Sequence, residues 1–131
     1  MITAIYHVAY SVADLDKSMH FYQAALGCKE YFRLNHEDGR LMLVYLQVGD
    51  SQGYIELFPG GAPRTEAEPK GLTGYKHLCL EVDDMDKTIA ALARHGIKPD
   101  SGPLTGKDGN VQAWIRDPDG NRIELMKRIA K

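Results

Sequence analysis

Tyr6-His7-Val8-Ala9-Tyr10-Ser11-Val12-Ala13-Asp14-Leu15-Asp16-Lys17-Ser18-Met19 lies over Lys76-His77-Leu78-Cys79-Leu80-Glu81-Val82-Asp83-Asp84-Met85-Asp86-Lys87-Thr88-Ile89 without a gap. His7 falls on His77, Val12 on Val82, Asp14 on Asp84, Asp16 on Asp86 and Lys17 on Lys87, while Leu15 and Met85 are both apolar. Further on, Gly27 corresponds to Gly96, and Ile55-Glu56-Leu57 to Ile123-Glu124-Leu125. The chain is two copies of one unit of roughly 60 residues, and such a unit buries its apolar face only against a second one.

Each copy opens on an alternating stretch, residues 5–12 and 75–82, whose period of two predicts a strand. A helix follows. In the first copy Leu15, Met19, Tyr22 and Leu26 recur at helical spacing, Asp14 or Asp16 can cap the free N–H groups, and Gly27 can take the left-handed stop. The second copy repeats this with an aspartate start, Met85, Ile89, Leu92 and Gly96. Residues 30–34, 41–48 and 53–58, broken at His36-Glu37-Asp38-Gly39 and Gly49-Asp50-Ser51-Gln52, then predict three antiparallel strands. Their counterparts are expected near 97–99, at 111–116 and at 121–127, with Asp117-Pro118-Asp119-Gly120 as a turn. The fold class is therefore α+β, two tandem βαβββ modules at about 3–58 and 75–128.

Residues 59–74, rich in Pro and Gly and without periodicity, read as the linker. The 131 residues form one domain on this reading. Half a sheet with one helix leaves edges and an apolar face open, so each module pairs within the chain or with a second chain. The linker permits both, and a homodimer is expected, with domain swapping left open.

Sixteen Lys and Arg against eighteen Asp and Glu give a net charge of −2, with a pI near 6.2. The electrostatic footprint of a nucleic-acid binder is missing. No cationic start precedes an apolar run, and the longest apolar stretch, residues 41–46, is too short to span a bilayer. A cytoplasmic protein without membrane contact is expected. The two cysteines, Cys28 and Cys79, fit no disulfide framework and no paired thiolate zinc motif, and read as small buried residues.

Four polar residues fall at expected strand centres: His7, Glu56, His77 and Glu124. A lone carboxylate buried between isoleucine and leucine costs several kcal/mol as an order of magnitude, so it must be paired, protonated or coordinated. Two imidazoles and two carboxylates make a nitrogen and oxygen site suited to one divalent ion such as Ni, Co, Mn, Fe or Zn. The two carboxylates neutralise the ion, and an octahedral metal with four protein ligands keeps two positions for water or a chelating substrate. For one pair alone, satisfied strand histidines and edge glutamates would serve as well. Recurrence of the pair at equivalent places in both copies favours the metal.

These residues resemble the vicinal oxygen chelate superfamily of glyoxalases, bleomycin-resistance proteins and dioxygenases, and within it the glyoxalase I (lactoylglutathione lyase) branch. The resemblance spans residues 5–127. It rests on the opening from His7 to Leu15 with Ser18 and Phe21-Tyr22, on Leu26-Gly27, on the two Ile-Glu-Leu triplets, on the stretch from His77 to Val82, and on Asp117-Pro118-Asp119-Gly120-Asn121. It implies paired βαβββ modules in a curved, barrel-like mixed sheet around a divalent metal, with ligands at the positions of His7, Glu56, His77 and Glu124. Extradiol dioxygenases of the superfamily typically hold iron with two histidines and one glutamate, and the epimerase branch usually has glutamine where this chain has Glu56.

The chemistry implied is that of a lyase or isomerase acting on an oxygen-chelating small molecule, such as the hemithioacetal of a 2-oxoaldehyde and a thiol, through an enediolate. A glutamate loosely held at the metal can move the proton, whereas a ligated imidazole has no free lone pair. Glu124 is the first candidate for this base and Glu56 its counterpart. The branch often carries arginine and asparagine for glutathione where this chain has Ser11 and Gly60, so the resemblance does not extend to those contacts. Alternatives are another metalloenzyme of the superfamily, of dioxygenase or epimerase type, and a non-catalytic binding or resistance protein. Arg33, Arg40, Arg64, Lys76 and Lys107 read as surface charges, as do His20, His36 and His95. Trp114 and Tyr45 read as core aromatics that could line a pocket, and Cys79, two residues after His77, as sharing its face.

Overall fold

The computed structural model describes residues 1–65 and 70–129. Between Thr65 and Glu66 the chain divides into two compact units. In the first, strand β1 (His7–Ser11) leads into helix α1 (Leu15–Met19), which continues as a π-helical stretch, His20–Ala25, before β2 (Lys29–Asn35), β3 (Leu41–Gln47) and β4 (Tyr54–Phe58). The second repeats this order with β5 (Leu78–Glu81), α2 (Met85–Ala93), β6 (Ser101–Thr105), β7 (Val111–Arg116) and β8 (Arg122–Lys127). The expected tandem βαβββ organisation is present.

Both units form a four-stranded mixed sheet, ordered β1-β4-β3-β2 and β5-β8-β7-β6. The first strand of each runs parallel to the last, and the remaining pairs are antiparallel. A helical crossover permits the parallel pair, while short turns join the antiparallel ones.

The repeated aspartates explain why the helices start where they do. Asp14 and Asp84 are extended, at φ −132° and −143°, and each carboxylate accepts the backbone N–H of the lysine three residues on. Gly27 and Gly96 end the helical segments at φ 75° and 73°, a conformation open to glycine without a Cβ clash.

Alternation along the strands sorts their side chains between two faces. In the first unit Val12, Val44, Leu46, Ile55 and Leu57 are fully buried with Tyr22 of the helical segment, and Tyr10 of β1 stacks on Tyr22 with ring centroids 6.3 Å apart. In the second, Ala113, Ile115, Ile123 and Leu125 are buried with Met85 and Leu92 of α2. Each buried Val, Leu or Ile side chain among them contributes about 1.5–3 kcal/mol by leaving water.

Several expectations are corrected. The stripe of Leu15, Met19, Tyr22 and Leu26 assumes α-helical period throughout, but Leu26 N–H donates to Phe21 O, five residues back, at 3.0 Å. The wider π turn buries Phe21 and Tyr22 side by side and leaves Leu15, Met19 and Leu26 half-buried. Strand β6 lies at Ser101–Thr105, beyond the expected 97–99, and is exposed along its whole length. His7 is the first residue of β1, and His77 precedes β5, so neither histidine sits at a strand centre. Cys28 is buried as expected, but Cys79 is exposed. His20, His36 and His95 are exposed, as expected.

Residues 59–65 and 70–74 of the expected linker carry neither helix nor strand. Its residues 66–69 lie outside the described residues, as do residues 130 and 131. Among the described residues, no helix is long and apolar enough to cross a membrane.

Candidate metal centre

Glu56 is the middle residue of β4 and faces away from its neighbours Ile55 and Leu57. It is 8% exposed. Ala9 and Tyr45 flank it across the ladder, on β1 and β3. Because His7 is two residues before Ala9, it shares this face, and its Nε2 lies 3.9 Å from Glu56 Oε2. Tyr45 completes the group, with its hydroxyl 3.0 Å from His7 Nδ1.

The second unit repeats the arrangement with different neighbours. Glu124 is 7% exposed and has Cys79 and Trp114 as its cross-strand partners. His77 Nε2 lies 3.0 Å from Glu124 Oε2, and the two side chains are 28% and 9% exposed. The imidazole meets the edge of the Trp114 ring, with centroids 4.6 Å apart. Arg122 lies over the same indole, its guanidinium carbon 4.3 Å from the centroid, in cation–π contact.

Each predicted histidine thus meets the predicted glutamate of its own unit. Each unit brings together two donors, and among the described residues no group of three or more His, Cys, Asp or Glu side chains forms a ligating cluster. The chemistry of the donor set fits a divalent ion. Two carboxylates this buried, each facing an imidazole, want a positive partner, because burial without one costs several kcal/mol as an order of magnitude.

Two aromatic residues acquire a role that their residue type alone does not show. Tyr45 and Trp114 each stand opposite a candidate glutamate and touch its histidine. Overlaying β3 on β7 through the repeat would have paired them. Burial first, then hydrogen bonding to Glu56 and its charge, push the Tyr45 phenol up to about 12. Cys79 stands across the ladder from Glu124, the carboxylate that meets His77. Burial first, then Glu124, push its thiol up to about 11, so it is a poor thiolate nucleophile at neutral pH.

Other rings gather around Tyr45 in the first unit. Phe32 stacks on it at 4.5 Å, Tyr6 lies 5.0 Å from Tyr54, and Tyr31 lies 5.0 Å from Tyr54. Arg33, Arg40, Arg64, Lys76 and Lys107 are exposed, as expected of surface charges. Arg33 pairs with Glu30 and Arg40 with Asp38.

Known proteins share both the sequence and the fold. Lactoylglutathione lyase of Neisseria meningitidis serogroup A is 33% identical over 125 residues, covering 93% of this chain and 88% of that one. The crystal structure of TnmS3, an antibiotic-binding protein from a Streptomyces species, superposes with a TM-score of 0.73 at 25% identity, covering 98% of each chain. A glyoxalase/bleomycin resistance protein/dioxygenase superfamily member from Sphaerobacter thermophilus gives a TM-score of 0.74 at 25% identity, covering 97% of this chain and 98% of that one. Residues 4–125 match the sequence profile of one family. The chain belongs to the Glyoxalase/Bleomycin resistance protein/Dioxygenase superfamily.

Proposed function

We propose that this protein is a divalent-metal-dependent lyase or isomerase of glyoxalase I type, acting on an oxygen-chelating small molecule such as a 2-oxoaldehyde–thiol hemithioacetal. The observation that carries the reading is the repeated pair, His7 with Glu56 and His77 with Glu124, in which both carboxylates are buried against an imidazole. The relatedness to a lactoylglutathione lyase along nearly the whole chain supports it.

His7, Glu56, His77 and Glu124 would hold the ion, which when bound supplies Lewis acidity to two neighbouring substrate oxygens. Glu124 acts as the base, taking the proton from the substrate carbon on a carboxylate oxygen and returning it to the adjacent carbon. Glu56 is its counterpart in the other half. The histidines remain fixed donors, because an imidazole whose free nitrogen is engaged has no lone pair for a proton. A homodimer is part of this reading. Exposed Tyr6, Tyr31 and Leu34 of the first unit support such pairing.

Metal content by mass spectrometry on untagged protein tests the reading. About one ion per site in the native chain, lost in Glu124→Ala and His77→Ala, is expected. Turnover of methylglyoxal hemithioacetals of several thiols should follow the metal. No ion after incubation with Ni, Co, Mn, Fe and Zn overturns it.

A second reading is sequestration of a planar small molecule. The contiguous rings of Tyr6, Tyr31, Phe32, Tyr45 and Tyr54 favour it, as does the antibiotic-binding relative. Binding that survives chelation, without turnover, would single it out.

A further inference from the structure

The two His–Glu pairs are not equivalent, and the difference lies in Tyr45. This residue stands across the β3–β4 ladder from Glu56, with its hydroxyl 3.0 Å from His7 Nδ1. A phenol oxygen has one proton to give and lone pairs with which to accept, whereas an ionised carboxylate only accepts. Glu56 is the cross-strand neighbour of this residue on the same face, and its carboxylate can accept the phenol proton. With the phenol proton turned to the carboxylate, the Tyr45 oxygen is left to accept from the ring of His7.

We propose that Tyr45 is a positioning residue of the first pair: its hydroxyl accepts the Nδ1–H of His7 and fixes the tautomer whose free lone pair is on Nε2. Nε2 is the ring nitrogen that faces Glu56, at 3.9 Å. That spacing is too long for a direct hydrogen bond, so the two donor atoms stand beside each other without satisfying one another. The edge-on approach of the Tyr45 and His7 rings, at 5.4 Å and 85°, holds the imidazole plane as well.

Trp114 cannot repeat this in the second unit. It occupies the matching place opposite Glu124, but its indole N–H only donates. There His77 Nε2 contacts the carboxylate directly, at 3.0 Å. The first pair is therefore set for an ion in advance, while the second must give up an internal contact. This inference rests on the metal-dependent reading for its purpose but not for its test.

The test is the imidazole nitrogen NMR of ¹⁵N-labelled, metal-free protein, above the pH at which histidine titrates. His7 should carry its proton on Nδ1 in the native chain. In Tyr45→Phe it should revert to Nε2–H, with the His77 signals unchanged as a check on the fold. Calorimetric titration with Ni²⁺ should then show affinity falling roughly 10–100-fold in Tyr45→Phe. A native His7 protonated on Nε2 overturns the proposal whether or not the variant folds, and so does an unchanged tautomer in a folded variant. Failure of the native protein to bind any ion while His7 is protonated on Nδ1 overturns the metal-dependent reading, and leaves the Tyr45 bond standing.

Discussion

His77 Nε2 lies 3.0 Å from Glu124 Oε2, while the corresponding atoms of His7 and Glu56 are 3.9 Å apart. Without an ion, the second glutamate therefore depends on its histidine for a direct partner. His77→Ala leaves a carboxylate only 7% exposed without that bond, and should cost about 1–3 kcal/mol in urea denaturation with chelator present. Glu124→Gln keeps a side chain of the same shape able to meet the imidazole, and should cost less. No loss in His77→Ala would show that the contact does not stabilise the unit.

Trp114 is the chain's single tryptophan, and its ring lies edge to face with the His77 imidazole at 4.6 Å. Its emission reports on this corner alone. Titration of metal-free protein with Ni²⁺ or Co²⁺ should quench the fluorescence, chelator should restore it, and His77→Ala should abolish the response. Unchanged emission, in protein shown by mass spectrometry to carry the ion, would place the ion away from His77.

The repeat made much of this legible. Identical spacing at Asp14 and Asp84 predicts two capped helices, and both carboxylates cap in the same way. The Ile-Glu-Leu triplets mark Glu56 and Glu124 because an acidic residue between two buried aliphatics is a physical contradiction unless something answers its charge. Strand β6 escaped because Ser-Gly-Pro-Leu-Thr has no alternation to read and is an exposed edge strand. The π turn escaped because the spacing of Leu15, Met19, Tyr22 and Leu26 fits an α-helix equally well. On residue type alone Tyr45 is a core aromatic that could line a pocket, and only its register against Glu56 reveals its second role.

Cys79 is exposed yet should be slow to alkylate. Burial first, then Glu124, raise its thiol from 9.0 to about 11, which cuts the thiolate fraction at neutral pH about a hundredfold. Iodoacetamide labelling followed by peptide mass spectrometry should show a rate climbing steadily to about pH 11. Glu124→Gln removes a contributing charge and should move that rise to lower pH. Rapid labelling of native Cys79 at neutral pH would contradict both expectations.

Cys28, which follows the helix stop at Gly27, is 5% exposed, and burial raises its thiol from 9.0 to about 11. The folded state thus binds this proton more tightly than the unfolded state, which releases it near pH 9. Between the two values the unfolded chain holds fewer protons, so stability must fall as pH rises. The contribution is fully present below about pH 9 and is lost as pH passes through about 11. A shift of this size corresponds to on the order of 2–3 kcal/mol. Urea denaturation across that window should show the loss in native protein, and Cys28→Ala should lose less over the same range. Parallel curves for the two would mean that other groups, tyrosines among them, carry the alkaline instability, and that the thiol at position 28 gives up its proton as readily in the folded chain as in the unfolded one.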